Sequence, residues 1–589
     1  MNQALLVYRF ATAFQGAIKM LLKRSCAAVF AAAAAGVLFC GSVARGETTP
    51  QNTPAPISAL GLYPGSAFRP VKVVNAACES CTTPKQALWY FPGEWLAVPS
   101  NGVPVAGFTP ELAPQADVRQ WYASATPDDL RARPPLLWLG AAQSVHDVNL
   151  TTDGQLRFAD GRQMLFSVVD KINTNLSYYD AASKTYFQQR PLRMRGEQRG
   201  ETFVARTIWP QDWTIQEAGM SVQRLLPGES LLGLVRKYAN ARDERFETRL
   251  LWEKNGTKQT ENGKEKAAAQ LRDWNGHAAI GIILNGAQGD DDEAHGGHFA
   301  IATGRLGKGN EMADWIVNNF YNLGSYSEKG IVASMLPMDN YMTDLNSGQS
   351  WYRPSYMLVA VLKKDRAAYA YQAAISRVYH HFYRQDFKYR HASNNCAGIS
   401  IDTLRTLGWP IPSQGPTSRT KAVIGYPFKA LTELSFTSGK EAYDYMIEEQ
   451  SRLYPAAAYD AVGRDLLRIA SGKSAAPSDA KALETFLRED LEALVFVRLP
   501  QIPSSREFGT YPVASIDEYM KRAPEDKALW KIVPVEPRRF PAELLAADTR
   551  PEFEMPAWAP AAAGFALIGA LGWRRRVRQQ RREHEARRR

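Results

Sequence analysis

The stretch Ser393-Asn394-Asn395-Cys396-Ala397-Gly398-Ile399-Ser400-Ile401-Asp402-Thr403-Leu404 reads as a cysteine on the first turn of a buried helix. Ser393, Asn394 and Asn395 are short polar residues, each able to accept from an N–H of the turn that follows. Cys396, Ile399 or Ser400, Thr403, Leu404 and Leu407 recur at helical spacing, and Gly408 and Pro410 stop the run. A thiol placed there feels the positive end of the helix dipole. With a histidine nearby, its pKa can fall from about 8.5 into the range of roughly 3.5–7.5, which makes it a nucleophile at neutral pH. The competing reading is a small buried apolar side chain, the fate of most free cysteines. The rest of the chain has to decide between them.

At 589 residues the chain exceeds a single core, and two or three domains are expected. Its formal charge of +11 would suggest nucleic acid as a partner, but the location of the charge argues against it. Residues 1–44 carry Arg9, Lys19, Lys23 and Arg24 and no acids, while 574–589 carry nine Arg and two Glu. The body, 45–573, is left neutral, so no nucleic-acid surface is expected. Two of the five cysteines lie in the leader, and Cys78 and Cys81 form a C-x-x-C with no further cysteine to complete a zinc site. A small disulfide in an oxidising compartment is the expectation there, leaving Cys396 as the unpaired thiol of the body.

The two ends read as export and membrane. Met20-Leu21-Leu22-Lys23-Arg24, the apolar run 26–40 and the small residues Ser42-Val43-Ala44 make a signal peptide, with Met20 an alternative start. Residues 556–573 read as a single C-terminal transmembrane helix, bracketed by Trp558 and Trp573. The arginines of 574–589 form a basic cytoplasmic tail, which puts the body on the periplasmic side of the inner membrane.

Between the ends the chain reads as an α+β multidomain protein. A linker over 45–61 precedes a β-rich domain over 62–250, with strand candidates at Leu136–Leu139, Gln155–Phe158, Met164–Val169, Thr202–Ile208 and Leu231–Val235. Its aromatics, among them Trp89, Trp95, Trp121, Trp209 and Trp213, suit core packing, with a glycan platform as the alternative. An α+β domain over 251–425 and a mostly helical region over 426–555 follow, the latter with helices at Glu441–Leu453, Ala458–Ile469 and Ser478–Val495.

A cysteine hydrolase needs a base near sulfur and a group that orients the base. His298 opens the strand candidate His298–Thr303, and a turn centred near residue 308 would set it opposite Asn318, making Asn318 or Asn319 the orienting residue. His277, in Trp274-Asn275-Gly276-His277-Ala278-Ala279-Ile280, is a rival base. The loop Asp290-Asp291-Asp292-Glu293-Ala294-His295-Gly296-Gly297-His298 reads as acidic and solvated, with a divalent-cation site using His295 and His298 as the alternative. His380 and His381 read as a surface and boundary pair on an amphipathic helix over Asp365–Phe382.

The order strand histidine, polar residue on the next strand, cysteine at a helix start resembles the permuted papain-like cysteine hydrolases and acyltransferases. That superfamily includes the NlpC-type peptidases, lecithin–retinol acyltransferase and the Lnb N-terminal periplasmic domain. The resemblance covers roughly residues 270–412 and rests on His-x-x-Ile-x-x-Gly at 298–304, Gly276-His277 and Asn395-Cys396. It implies a permuted papain-like domain in which Cys396 attacks a carbonyl, His298 or His277 carries the proton, and Asn318 holds the ring. The Cys396 backbone N–H and a neighbouring side chain would hold the oxyanion. The expected substrate is a cell-envelope peptide, glycopeptide or lipid, with no cofactor and no metal. The alternative is a non-catalytic envelope protein, with the papain-like fold as scaffold and the β-rich domain as binding module.

Overall fold

Three apolar runs dominate the centre of the chain: AAIGIILN, SYMLVAVL and LEALVFVRL. Runs without polar alternation make strands buried on both faces. In the structure, a computed structural model, all three are neighbours in one eight-stranded sheet. The structure describes residues 59–531, apart from 73–93, 102–108, 110, 142, 147, 151–155, 159–179, 200–201, 216–220, 223–224, 226–228, 239–245, 255–257, 262–263, 268–272, 322–333, 345–347, 384–388, 474–478 and 525, together with 573–580.

The sheet strands are β1 (Ser221–Val222), β2 (Glu247–Glu253), β3 (Ala278–Asn285), β4 (His298–Arg305), β5 (Ile316–Asn318), β6 (Met335–Pro337), β7 (Ser355–Leu362) and β8 (Leu491–Leu499). Their order is β6-β5-β4-β3-β7-β8-β2-β1, antiparallel throughout except for β2 with β1. Helices α1 (Pro114–Ser124), α2 (Arg366–Tyr383), α3 (Cys396–Thr406) and α4 (Pro455–Ala470) bear on the functional residues. Of these, α2 and α4 pack on β3 and β4, and α3 packs on β4.

The described residues all fall in one unit, and one large apolar core runs from Leu60 to Ile502. The boundaries at 250/251 and 425/426 therefore separate no cores. β8 comes from the region read as mostly helical, yet it lies between β7 and β2. Helix Leu483–Asp490 ends where Leu491 begins the strand, because Val495, Phe496 and Val497 favour the pleated, doubly buried position. Leu232–Lys237 is a helix rather than a strand, its start tied to Asp460 of α4 through Ser230 Oγ at 2.7 Å and Leu231 N at 2.9 Å. Trp138, Trp209 and Trp213 are fully buried, which places them in the core and off any glycan-binding face. The hairpin of Leu192–Arg199 and Thr202–Pro210 docks through charge. Arg195 pairs with Asp339 and Asp314, and Arg206 reaches Asp339 at 2.6 Å.

The expected membrane-spanning helix is corrected: among the described residues no helix is long and apolar enough to cross a membrane. The apolar run 558–573 would rise only about 24 Å as a helix, short of the roughly 30 Å hydrocarbon core. Residues 556–572 lie outside the described residues, and 573–580 is a helical stretch carrying Arg574, Arg575, Arg576 and Arg578. The leader at 1–44, residues 45–58 of the linker, the Cys78–Cys81 pair and the strand expected at Met164–Val169 also lie outside the described residues.

Candidate active site

The cysteine helix forms where its spacing places it. Asn395, with extended backbone, accepts from Ala397 N at 3.0 Å and Gly398 N at 2.9 Å through Oδ1. Its Nδ2 donates to the carbonyls of Leu453 (2.9 Å) and His391 (2.8 Å), which ties the cap to the segment ahead of α4. Asn395→Ala is expected to destabilise the chain by about 2 kcal/mol, the upper end for a lost cap. The check is a lower urea midpoint at unchanged slope. Cys396 is 4% exposed, and its sulfur is in no disulfide.

Strand β4 begins at His298, which pairs with Asn285 at the end of β3. The imidazole is 1% exposed, and its Nε2 makes no hydrogen bond among the described residues. It stacks on Tyr321 with ring centres 4.1 Å apart and planes 19° from parallel. Tyr321 is fixed in turn by its hydroxyl, which accepts from Arg353 Nη2 at 2.8 Å. Burial pushes the proton affinity of His298 well below that of a free imidazole, and the Arg353 charge pushes it further. A side-chain interaction with Asn319 works in the other direction. His298 is therefore neutral at pH 7 and able to act as a base.

Asn318 does not reach the imidazole. Strand β5 pairs Asn318 with Ile301, three residues further along β4 than a turn centred near 308 would give. The cause is Trp315, whose ring folds back over Gly304 and whose Nε1 donates to the Arg305 carbonyl at 2.9 Å. A Cβ on Gly304 would lie 2.3 Å from that ring, so only glycine admits it. The shifted register brings Tyr321 to His298 and turns Asn318 toward helix α2. There Asn318 and Gln372 exchange amide hydrogen bonds at 3.1 and 3.2 Å, and Asn318 Nδ2 also donates to Ile301 O at 3.0 Å. Its role is structural, and Asn319 is the asparagine beside the base.

His277 lies at the far end of the same strand pair, just ahead of Ala278, which pairs with Arg305. Eight residues of strand separate it from the His298 end, about 25 Å at 3.3 Å per residue. Its Nε2 meets Glu492 at 3.0 Å. The rival base is thus set apart from the thiol.

The loop between β3 and β4 is tied down rather than solvated. Asp290 pairs with Arg506, Asp291 is fully buried, and Asp292 exchanges backbone and side-chain hydrogen bonds with Lys531. Gly297, at φ +72°, admits the close passage of the Asn285 carbonyl. His295 sits edge-on to Tyr519, and no group of three metal-ligating side chains exists among the described residues. His381 is not a boundary residue: it is fully buried, with Nε2 3.2 Å from Asp117 of α1.

His298 and Cys396 open on the same cavity of about 450 Å³. Tyr321, Arg353, Tyr389 and Asn395 share its wall, and Tyr445, Tyr454, Tyr519 and Trp530 supply an aromatic flank. No carboxylate is found among the described residues that line it. The arrangement offers a thiol on a helix N-terminus, a neutral buried imidazole and a cleft of mixed polar and aromatic lining, which together suit attack on a carbonyl. Sequence spacing points to Cys396 and His298. Tyr321, Arg353 and Tyr389 carry no local signature, because only long-range packing brings them to the cavity. No family model matches the chain, and no curated protein and no solved structure matches it.

Proposed function

We propose that the chain is a thiol hydrolase or acyltransferase that acts on an amide or ester through an acyl-enzyme on Cys396. The observation that carries this reading is the shared cavity: the thiol on the capped helix and a buried, neutral imidazole with an unoccupied Nε2 both border it. His298 takes the thiol proton as sulfur attacks, then returns it to the leaving amine or alcohol. Tyr321 and Asn319 hold the ring in place of Asn318. The substrate class is an envelope peptide, glycopeptide or lipid, met in an extracytoplasmic compartment if the leader directs export.

The test is to treat the full chain with p-nitrophenyl acetate and read the intact mass. The expected result is one acetyl group in the wild-type chain, mapped to Cys396, and none there in Cys396→Ser. An unmodified Cys396 together with p-nitrophenolate release no faster than in Cys396→Ser contradicts the reading and favours a scaffold role.

A further inference from the structure

The backbone donors on the first turn of α3 have different partners. Ala397 and Gly398 N–H both end on the Asn395 cap. The Cys396 N–H instead ends on the phenol oxygen of Tyr389, 3.2 Å away. An acyl transfer from a helix-borne thiol needs that N–H for the oxyanion, and a hydroxyl already lies on it. Tyr389 is held in place by a short turn, in which Asn394 N donates to Arg390 O at 3.0 Å and the Tyr389 ring meets His391 edge-on at 5.4 Å. A phenol that accepts through oxygen keeps its own O–H as a donor, and Tyr389 borders the cavity shared by Cys396 and His298.

We propose that Tyr389 is a second oxyanion donor of this site. The inference rests on Cys396 being the nucleophile. As the Sγ–C bond forms, the carbonyl π pair moves onto oxygen. The Tyr389 hydroxyl moves off the Cys396 N–H, and both groups donate to the new oxyanion. When the pair returns, the bond from carbon to the leaving oxygen breaks, and the His298 imidazolium supplies the proton it took from sulfur. Neither oxyanion donor gives up its own proton.

Two reactions of the same thiol separate this role from a merely structural one. Acylation by p-nitrophenyl acetate passes through an oxyanion, whereas alkylation by iodoacetamide does not. In the full chain carrying Tyr389→Phe, acylation of Cys396 should fall about a hundredfold, the loss typical of one oxyanion donor. Alkylation should stay within about twofold of wild type, which also reports that the site remains folded. Acylation that is unchanged or faster in Tyr389→Phe overturns the proposal, because the phenol then contributes nothing or obstructs. An equal loss in both reactions overturns it too, because Tyr389 then only positions the thiol. If the wild-type thiol is alkylated but never acylated, the nucleophile reading falls and this one falls with it. If the wild type is acylated and the variant keeps its rate, Tyr389 alone loses its role.

Discussion

Replacing His298 with alanine should slow acylation of Cys396 by about a thousandfold, within the range for loss of a general base, while the chain stays folded. The side chain is buried, stacked on Tyr321, borders the cavity, and bears a nitrogen that makes no hydrogen bond among the described residues. Its pH signature follows from the same surroundings. Burial first, and Arg353 second, lower its pKa well below 6.5, so the native imidazole stays unprotonated where a free one would charge. The acidic limb of the acylation rate should therefore lie below pH 6.5. Stability should respond as well. Below that pH the unfolded chain binds a proton at this histidine and the native chain does not, so stability falls as pH falls, by up to about 1.4 kcal/mol per pH unit. His298→Ala should remove that part of the slope, read as a flatter urea midpoint against pH than in wild type.

Asp117→Ala should destabilise the chain by about 3–5 kcal/mol, the range for breaking a buried ion pair from one side. Asp117 is 1% exposed and accepts from Arg377 Nη2 at 2.6 Å and Nε at 3.1 Å, with His381 Nε2 3.2 Å away. Burial alone would raise its pKa, but the hydrogen bonds and charges of His381 and Arg377 outweigh burial and hold it below the usual carboxylate range. Its contribution is therefore present at neutral pH and is lost as pH falls through that depressed value. The effect should reach the cysteine helix. Asp117 lies on α1, and Gln115 of the same helix bonds Thr403 and Thr406 of α3 at 3.1 and 2.9 Å. Amide exchange in 396–406 should accelerate in Asp117→Ala. Unchanged stability together with unchanged exchange would show that α1 does not brace the site.

The part of the site that is local in sequence is legible in the residues themselves. A polar cap, a cysteine and apolar residues at helical spacing give α3, and an apolar run opening on a histidine gives β4. What depends on distant packing is not legible in this way. The β4–β5 register hinges on Trp315 folding over Gly304, a contact that a turn count does not contain, and a shift of three residues replaces Asn318 with Tyr321 at the imidazole. The run through Leu491–Leu499 carries the hydrophobicity of a buried helix as well as of a strand, and its place between β7 and β2 decides the matter. Asp117, Arg377 and His381 come from segments some 260 residues apart, so neither the burial of His381 nor the bracing of α3 has a sequence signature.

The most direct measurement of the central claim is the rate of iodoacetamide alkylation of Cys396 in the native full-length chain across pH, in wild type and in His298→Ala. A base beside sulfur predicts rapid alkylation in wild type with a midpoint well below the roughly 8.5 of a free thiol, and a slow reaction with an ordinary midpoint in the variant. An inert wild-type thiol, or identical profiles in the two chains, would contradict the account.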